Sequence, residues 1–288
     1  MLSTRGSTWG KIDFAHGEQD VYNSSTNPNG IVSFANAENS AQLAMTNYSK
    51  SFDRQCCAYG EGYTGTLRLR SAMAKHLNAH FNPFTRIDAE EVNFASGVTS
   101  LNELCAFLLC NPNDSILLVG PVYGAFHRDL TTRTSLRLIS ILPSVHLEYI
   151  HVGDKDQFLP ESVAAIEAGF EAAKARGRSI KALIICNPHN PLGRCYPRET
   201  LVGLLRLCAS KGIHLVSDEI YALSVYTRYD RPSETFTSVR SIDFNGLIDP
   251  DQVHVLYGMS KDFGAGGMRL GCMVSQNDEF NNAIRALW

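Results

Sequence analysis

Apolar residues occur in two patterns that alternate along the chain. Most of the short apolar runs, roughly four to eight residues long and bounded by turn-forming residues, predict buried strands. We expect these strands at 92–95, 116–119, 135–142, 180–186, 213–217, 253–257 and 270–274. Between them, apolar residues recur every three or four positions, which predicts helices at 66–80, 100–110, 160–175 and 198–210 and the start of another at 281–288. This alternation favours an α/β fold with a mostly parallel sheet covered by helices on both faces.

Composition and charge limit the possible classes of protein. Residues 1–30 are polar and turn-rich, which indicates an extended arm, and 31–280 would form one large domain. Hydrophobic residues make up 44% and the net charge is −3, so nothing indicates a nucleic-acid surface. No apolar run approaches membrane-spanning length, and the first residues lack the apolar core of a signal peptide. The eight cysteines include no Cys-x-x-Cys pair, which favours buried free thiols in a cytoplasmic protein without a metal site.

Lys261 has the sequence context of a catalytic amine. It follows the apolar run at 253–257 and precedes a glycine-rich turn, and Arg269 comes eight residues later. A Schiff base requires a lysine amine in its neutral form, which burial or a nearby cation favours. The arginine could supply that cation and bind a phosphate. A solvated surface lysine is the alternative interpretation.

Polar side chains also follow two other apolar runs. Residues 217–221 read Ser-Asp-Glu-Ile-Tyr, and residues 187–193 read Asn-Pro-His-Asn-Pro-Leu-Gly. Ligands of open α/β sheets bind at the carboxyl ends of the strands, where these residues would meet Lys261. An acid, an asparagine, a tyrosine and a lysine could surround one flat, phosphorylated, cationic cofactor. The expected cofactor is pyridoxal 5'-phosphate, which binds as a lysine Schiff base with an acidic partner for its ring nitrogen.

These motifs give the chain a clear family resemblance. Together with Ser-Lys-Asp-Phe-Gly at 260–264, the two segments above resemble those of fold-type-I pyridoxal-phosphate enzymes of the class I/II aminotransferase superfamily. Within it, the chain is most similar to the 1-aminocyclopropane-1-carboxylate (ACC) synthase branch. That narrower similarity rests on Ala-Glu-Asn at 37–39, Tyr-Gly at 59–60 and Pro-Val-Tyr-Gly-Ala-Phe at 121–126.

The resemblance implies roles around the cofactor ring. Lys261 would form the Schiff base and, once freed by substrate, move the α-proton. Asp218 would pair with the pyridinium nitrogen, whereas an ordinary aspartate there would cap a helix. Asn190 and Tyr221 would hydrogen-bond the ring's phenolic oxygen, instead of serving as a turn residue and a core residue. Tyr123 would stack on the ring face.

The resemblance also implies a phosphate site and a second subunit. Gly97, Val98 and Thr99, in a turn ahead of the helix at 100–110, would present backbone N–H groups to the phosphate, and Ser260 and Arg269 would complete the site. The family usually has a hydroxyl residue three positions before the lysine, where this chain has Gly258. Tyr59 would reach the phosphate of a neighbouring subunit, which implies a homodimer with shared sites. Glu38 matches an acidic residue near the substrate, although a solvated carboxylate is an alternative.

Several functions remain open from the residues. An amino acid substrate and α-proton removal are expected, with elimination and ring closure as in ACC synthases. Related enzymes transaminate or cleave C–S bonds by β-elimination. In this superfamily a helix like the one at 281–288 leads into a small carboxyl-terminal domain, which we expect to be missing here, so a truncated, non-catalytic homologue is a further alternative. A nicotinamide-binding protein is poorly supported, because residues 264–267 lack a third glycine at the required spacing.

Overall fold

The computed structural model describes residue 22 and residues 24–30, 64–131, 145–226 and 235–287. Within these residues there are seven strands and six α-helices, which alternate along the chain as far as the fifth strand. The strands are β1 (Val92–Ser96), β2 (Asp114–Gly120), β3 (His146–His151), β4 (Ser179–Cys186), β5 (His214–Asp218), β6 (Val253–Gly258) and β7 (Leu270–Ser275). The helices are α1 (Leu67–His80), α2 (Gly97–Leu109), α3 (Phe126–Thr131), α4 (Ser162–Ala175), α5 (Arg198–Lys211) and α6 (Asp278–Leu287).

The seven strands form one sheet in the order β1-β7-β6-β5-β4-β2-β3. Strands β2 to β6 pair in parallel wherever they are neighbours, and β7 runs antiparallel to both β6 and β1. The carboxyl ends of the parallel strands therefore lie at one edge of the sheet, and β7 begins at that same edge. This mostly parallel sheet confirms the predicted fold class.

Helices cover both faces of the sheet, because successive side chains of a buried strand point to opposite sides. Leu117 and Leu183 pack on the face that carries α1, α4 and α5. Their neighbours Ile116 and Ile184 pack on the other face, against α2, α3 and α6. Leu77 of α1 belongs to the first cluster and is fully buried. Truncation of such a leucine to alanine lowers the free energy of unfolding by about 2–5 kcal/mol, so packing in the two clusters stabilises the sheet.

Local sequence signals explain where several helices begin and end. Thr66 precedes α1, and its Oγ1 accepts a hydrogen bond from the backbone N–H of Leu69 at 3.2 Å, as N-cap residues do. Gly212 ends α5 in the left-handed conformation, with a φ of 64° that glycine adopts without a steric penalty. Both helices were predicted within two residues of their observed bounds.

The structure corrects the predicted elements at three places. Strand β3 was not predicted, because five of its six residues are half-buried or exposed at the end of the sheet order and its pattern is weakly apolar. Helix α3 was also missed, since six residues are too short to show a helical period. Residues 97–99 were expected to form a turn but make the first turn of α2. The strand predicted at 135–142 lies outside the described residues.

Two further structural findings concern the classes of protein considered above. In the described ranges, no helix is both long enough and apolar enough to cross a bilayer. The six cysteines that the structure describes are all buried and free, as expected: Cys105, Cys110, Cys186, Cys195, Cys208 and Cys272. Burial raises the pKa of the Cys110 thiol to about 12, so that thiol stays protonated and unreactive.

Candidate active site

A cavity of about 530 Å³ lies at the edge of the sheet where the parallel strands end. Nine of the twelve predicted site residues line it, and they come from well-separated parts of the chain: Val98, Thr99, Tyr123, Asn190, Asp218, Tyr221, Ser260, Lys261 and Arg269. Of the other three, Gly97 begins α2 directly before Val98, and Glu38 and Tyr59 lie outside the described residues. The arrangement agrees with the expectation that side chains following parallel strands meet at one edge.

The sheet topology explains why these side chains converge. Asp218 is the last residue of β5, Asn190 follows β4, and Lys261 follows β6. Strands β4, β5 and β6 are adjacent and parallel, with Cys186 opposite Asp218 and Asp218 opposite Leu256. Side chains that leave these three strand ends therefore enter the same space.

One end of the cavity is formed where α2 meets β7. The side chain of Ser96, at the start of α2, makes no capping hydrogen bond, so first-turn N–H groups remain available for an anion. Gly97 has a φ of +81°, and a Cβ at this position would overlap the guanidinium of Arg269. A Cβ on Gly271 would lie 2.5 Å from the carbonyl carbon of Gly97 and 2.7 Å from the nitrogen of Val98. These two glycines therefore allow the helix start, the arginine and β7 to approach one another closely.

Asp218 is a buried carboxyl group at the carboxyl end of β5. It is 5% exposed, and its Oδ1 accepts a hydrogen bond from the backbone N–H of Ile220 at 3.2 Å. The pKa of Asp218 is raised from 3.8 to about 7, mainly by burial and also by nearby Asp129, although the Ile220 N–H and Lys261 lower it. A cationic N–H group placed against this carboxylate would therefore be bound strongly.

Asn190, Tyr221 and Lys261 form a polar group beside Asp218. The side-chain amide of Asn190 donates a hydrogen bond to Tyr221 Oη at 3.4 Å. The Nζ of Lys261 lies 5.9 Å from the centre of the Tyr221 ring. Burial is the main cause that raises the pKa of Tyr221 to about 12, so the phenol keeps its proton and can donate it to an acceptor in the cavity.

The cavity also contains two polar residues that the sequence analysis missed. Asn102 and Asp129 are 1% and 3% exposed and line the cavity next to Thr99 and Tyr123. Burial raises the pKa of Asp129 to about 6, while Arg128 and a hydrogen bond from Asn102 lower it. One side-chain oxygen of each has no hydrogen-bond partner among the described residues. Asn102 could have been noticed, since it interrupts the apolar residues of α2.

Comparison with known proteins identifies the family. The family model named aminotransferase class I and II matches residues 49–287. The chain is 34% identical over 86% of its length to a Claviceps purpurea protein named "Probable aminotransferase tcpI". It is 33% identical over 94% of its length to 1-aminocyclopropane-1-carboxylate synthase 2 of Solanum lycopersicum. The chain therefore belongs to the class I and II aminotransferase family, whose members are pyridoxal 5'-phosphate enzymes, and the cofactor expected from the sequence is confirmed.

Solved structures support the fold. An aspartate aminotransferase from Rhodobacter sphaeroides superposes with a TM-score of 0.63 at 20% identity, over 86% of this chain and 55% of the other. The chain spans little more than half of its curated relatives, 57% of the Claviceps protein and 56% of the tomato synthase. The cavity fits the family's cofactor, because a helix start and an arginine lie at one end and a buried carboxylate lies among the other lining residues.

Proposed function

We propose that this protein acts on an amino acid by removing its α-proton, with Lys261 as the base. The observation that carries the proposal is the convergence of Lys261, Asp218, Asn190 and Tyr221 on one cavity beside the start of α2. Pyridoxal 5'-phosphate, when bound, supplies an aldehyde that joins to an amine and a ring that withdraws electrons. The protein's own residues bind the cofactor, hold charges against it and move the proton.

Each of the nine predicted residues that line the cavity has a proposed task. Val98, Thr99, Ser260 and Arg269 bind the phosphate through backbone N–H groups and charge-assisted hydrogen bonds. Asp218 accepts a hydrogen bond from the ring nitrogen and keeps it protonated, for which a buried carboxylate is suited. Tyr221 and Asn190 donate hydrogen bonds to the ring's phenolic oxygen, and Tyr123 covers the ring face. The Nζ of Lys261 first carries the cofactor and, after release, takes the α-proton from the substrate.

The first candidate reaction is the elimination with ring closure of ACC synthases. It is supported by relatives of that name, such as the tomato synthase, which match 94% of the chain at 30–33% identity. The second candidate is transamination, which is favoured by the 34% identity to the Claviceps protein named as an aminotransferase. C–S β-elimination begins with the same α-proton removal. Incubation with S-adenosylmethionine, with cysteine conjugates, and with common amino acids plus a 2-oxo acid distinguishes the three by their products.

An absorbance titration tests the assignment of Lys261. Purified protein with added pyridoxal 5'-phosphate is expected to show the visible band of a lysine-bound cofactor, and Lys261→Ala is expected to lose it. Lys174→Ala is the matched control, because Lys174 is exposed on α4. A band that persists in Lys261→Ala would assign the attachment to another amine, and no band in the wild-type protein would contradict the proposed function.

A homodimer with shared sites is part of the proposal. It rests on Tyr59, which by resemblance to the family reaches the phosphate bound by a neighbouring subunit. Lys261→Ala and Tyr59→Phe would then impair different halves of each shared site. Mixing the two variants after mild dissociation is expected to restore about a quarter of the sites by random pairing, which the visible band measures. No recovery in exchanged dimers would contradict a shared site.

A further inference from the structure

The residue after Lys261 makes contacts that none of the roles above uses. Asp262 is not among the side chains that line the cavity. Its Oδ2 accepts hydrogen bonds from Tyr257 Oη and from the backbone N–H of Leu223, both at 2.9 Å. Its Oδ1 accepts a hydrogen bond from Ser224 Oγ at 2.6 Å. Hydrogen bonds to a charged acceptor are about twice as strong as neutral ones, so these three contacts fix the carboxylate in place.

The three donors belong to two different segments. Tyr257 is on β6 and fully buried, and its ring packs edge-on against Phe81 at 4.9 Å between centres. Leu223 and Ser224 belong to the turn that follows β5 and contains Tyr221. The backbone N–H of Ser224 donates to the carbonyl oxygen of Tyr221 at 2.9 Å. The carboxylate therefore links a rigid core residue to the turn that positions Tyr221.

This link lies where the sheet no longer holds the two segments together. The parallel ladder between β5 and β6 ends at the pair Asp218 and Leu256, followed by a hydrogen bond from the Glu219 N–H to the Leu256 carbonyl at 2.8 Å. Tyr221 and Lys261 both lie beyond that point. Their relative position therefore depends on contacts between the turns, and Asp262 makes two of them, to Leu223 and Ser224.

We propose that Asp262 is a positioning residue, whose carboxylate clamps the Lys261 turn to the Tyr221 turn and so holds the Tyr221 phenol in place against the cofactor. The inference rests on the proposed roles of Lys261 and Tyr221. A phenol that donates to the ring's phenolic oxygen withdraws negative charge from the group that holds the imine proton. A displaced phenol therefore leaves that proton bound more tightly, and the pH at which the visible band changes should rise.

A pH titration of the visible band in protein loaded with pyridoxal 5'-phosphate tests this inference without any substrate. Asp262→Ala is expected to raise the midpoint by roughly 0.4 to 1 pH unit, the equivalent of one net hydrogen bond. Ser224→Ala removes one of the three bonds and is expected to give a smaller shift in the same direction. Asp243→Ala is the matched control, since its carboxylate caps a surface turn around Asn245 away from the cavity, and it should leave the midpoint unchanged.

A double-mutant cycle separates positioning from general stability. Tyr221→Phe should raise the midpoint by itself, and Asp262→Ala should add nothing in that background, because both changes remove the same hydrogen bond. An equal shift in both backgrounds, or no shift in Asp262→Ala and Ser224→Ala, would overturn the inference while leaving the proposed function intact. If Asp262→Ala does not fold, Ser224→Ala in the two backgrounds decides in the same way. Absence of the band in the wild type would overturn both proposals.

Discussion

Replacement of Asp218 by asparagine should stabilise the cofactor-free protein at neutral and alkaline pH. Asp218 is 5% exposed, and burial, its main perturbation, raises its pKa from 3.8 to about 7. Between these pH values the folded protein keeps a proton that the unfolded chain releases. The free energy of unfolding therefore falls as pH rises from about 4 to about 7, and below pH 4 this contribution disappears. Asparagine cannot ionise, so the variant avoids the loss.

The size of the effect follows from the pKa difference. About three pH units at 1.36 kcal/mol each give an upper limit of roughly 4 kcal/mol above pH 7. Relaxation of the folded protein and entry of water reduce this limit, so the free energy of unfolding of Asp218→Asn is expected to exceed that of the wild type by an amount on the order of 1–3 kcal/mol at pH 8. Asp129 and Glu219 have pKa values raised to about 6 and about 7, mainly by burial, so they titrate in the same window. Both groups interact with Asp218, so the difference from wild type reports Asp218 together with this coupling.

Urea denaturation of cofactor-free protein, followed by circular dichroism between pH 4 and pH 8, measures this difference. The stability gain of Asp218→Asn should grow from about pH 4 to about pH 7 and then level off, and Asp243→Asn, on a surface turn, should give no comparable gain. With saturating cofactor the order should reverse, because the ring N–H then favours the ionised Asp218 and ligand binding stabilises the wild type more. A gain that does not depend on pH, or a variant that is less stable than wild type at pH 8 without cofactor, would refute the reasoning.

Three further changes have expected outcomes. Gly271→Ala should lower the thermal midpoint and weaken cofactor binding, because its Cβ would lie 2.7 Å from Val98 N; Gly124→Ala, where a Cβ meets nothing within 4 Å, is the control. Gly258→Ser, which restores the hydroxyl usual in the family, should lower the free energy of unfolding in urea by about 1–3 kcal/mol, because the new Cβ would lie 2.7 Å from the Leu270 carbonyl oxygen. Unchanged stability with tighter cofactor binding would contradict this. Ile166→Ala should lower the free energy of unfolding in urea by about 2–5 kcal/mol, because Ile166 of α4 is fully buried in the core. The folded variant should keep the visible band, and loss of the band from folded protein would contradict a purely structural role for Ile166.

The sequence predicted the parts of the fold that are strongly apolar. Strands such as β2 and β6 are buried at every position, and the short apolar runs within them predict buried strands. Strand β3 was missed because five of its six residues are half-buried or exposed, so its side chains carry no clear apolar pattern. The antiparallel direction of β7 could not be predicted either, since a run of apolar residues has no direction.

The candidate site was predictable where the chemistry needs particular residue types at strand ends. Lys261, Asp218 and Asn190 stand in short motifs directly after apolar runs, and the structure brings them to one cavity. Asn102 and Asp129 were missed because their importance comes from burial, and helical residues are buried or exposed according to packing partners that the local sequence does not name. The Asp262 contacts were missed for a related reason, as hydrogen bonds across two turns appear only in three dimensions.

The position of β7 has a consequence for how the protein folds. Strand β1 is paired in this sheet through β7, with Val92 opposite Val274 and Ser96 opposite Leu270. During synthesis β1 is therefore made early but has to wait for a strand near the far end of the described chain. Contacts this distant in sequence close late and slowly. The start of α2 and the arginine before β7 meet in the same event, so acquisition of cofactor absorbance should report the last long-range step of folding.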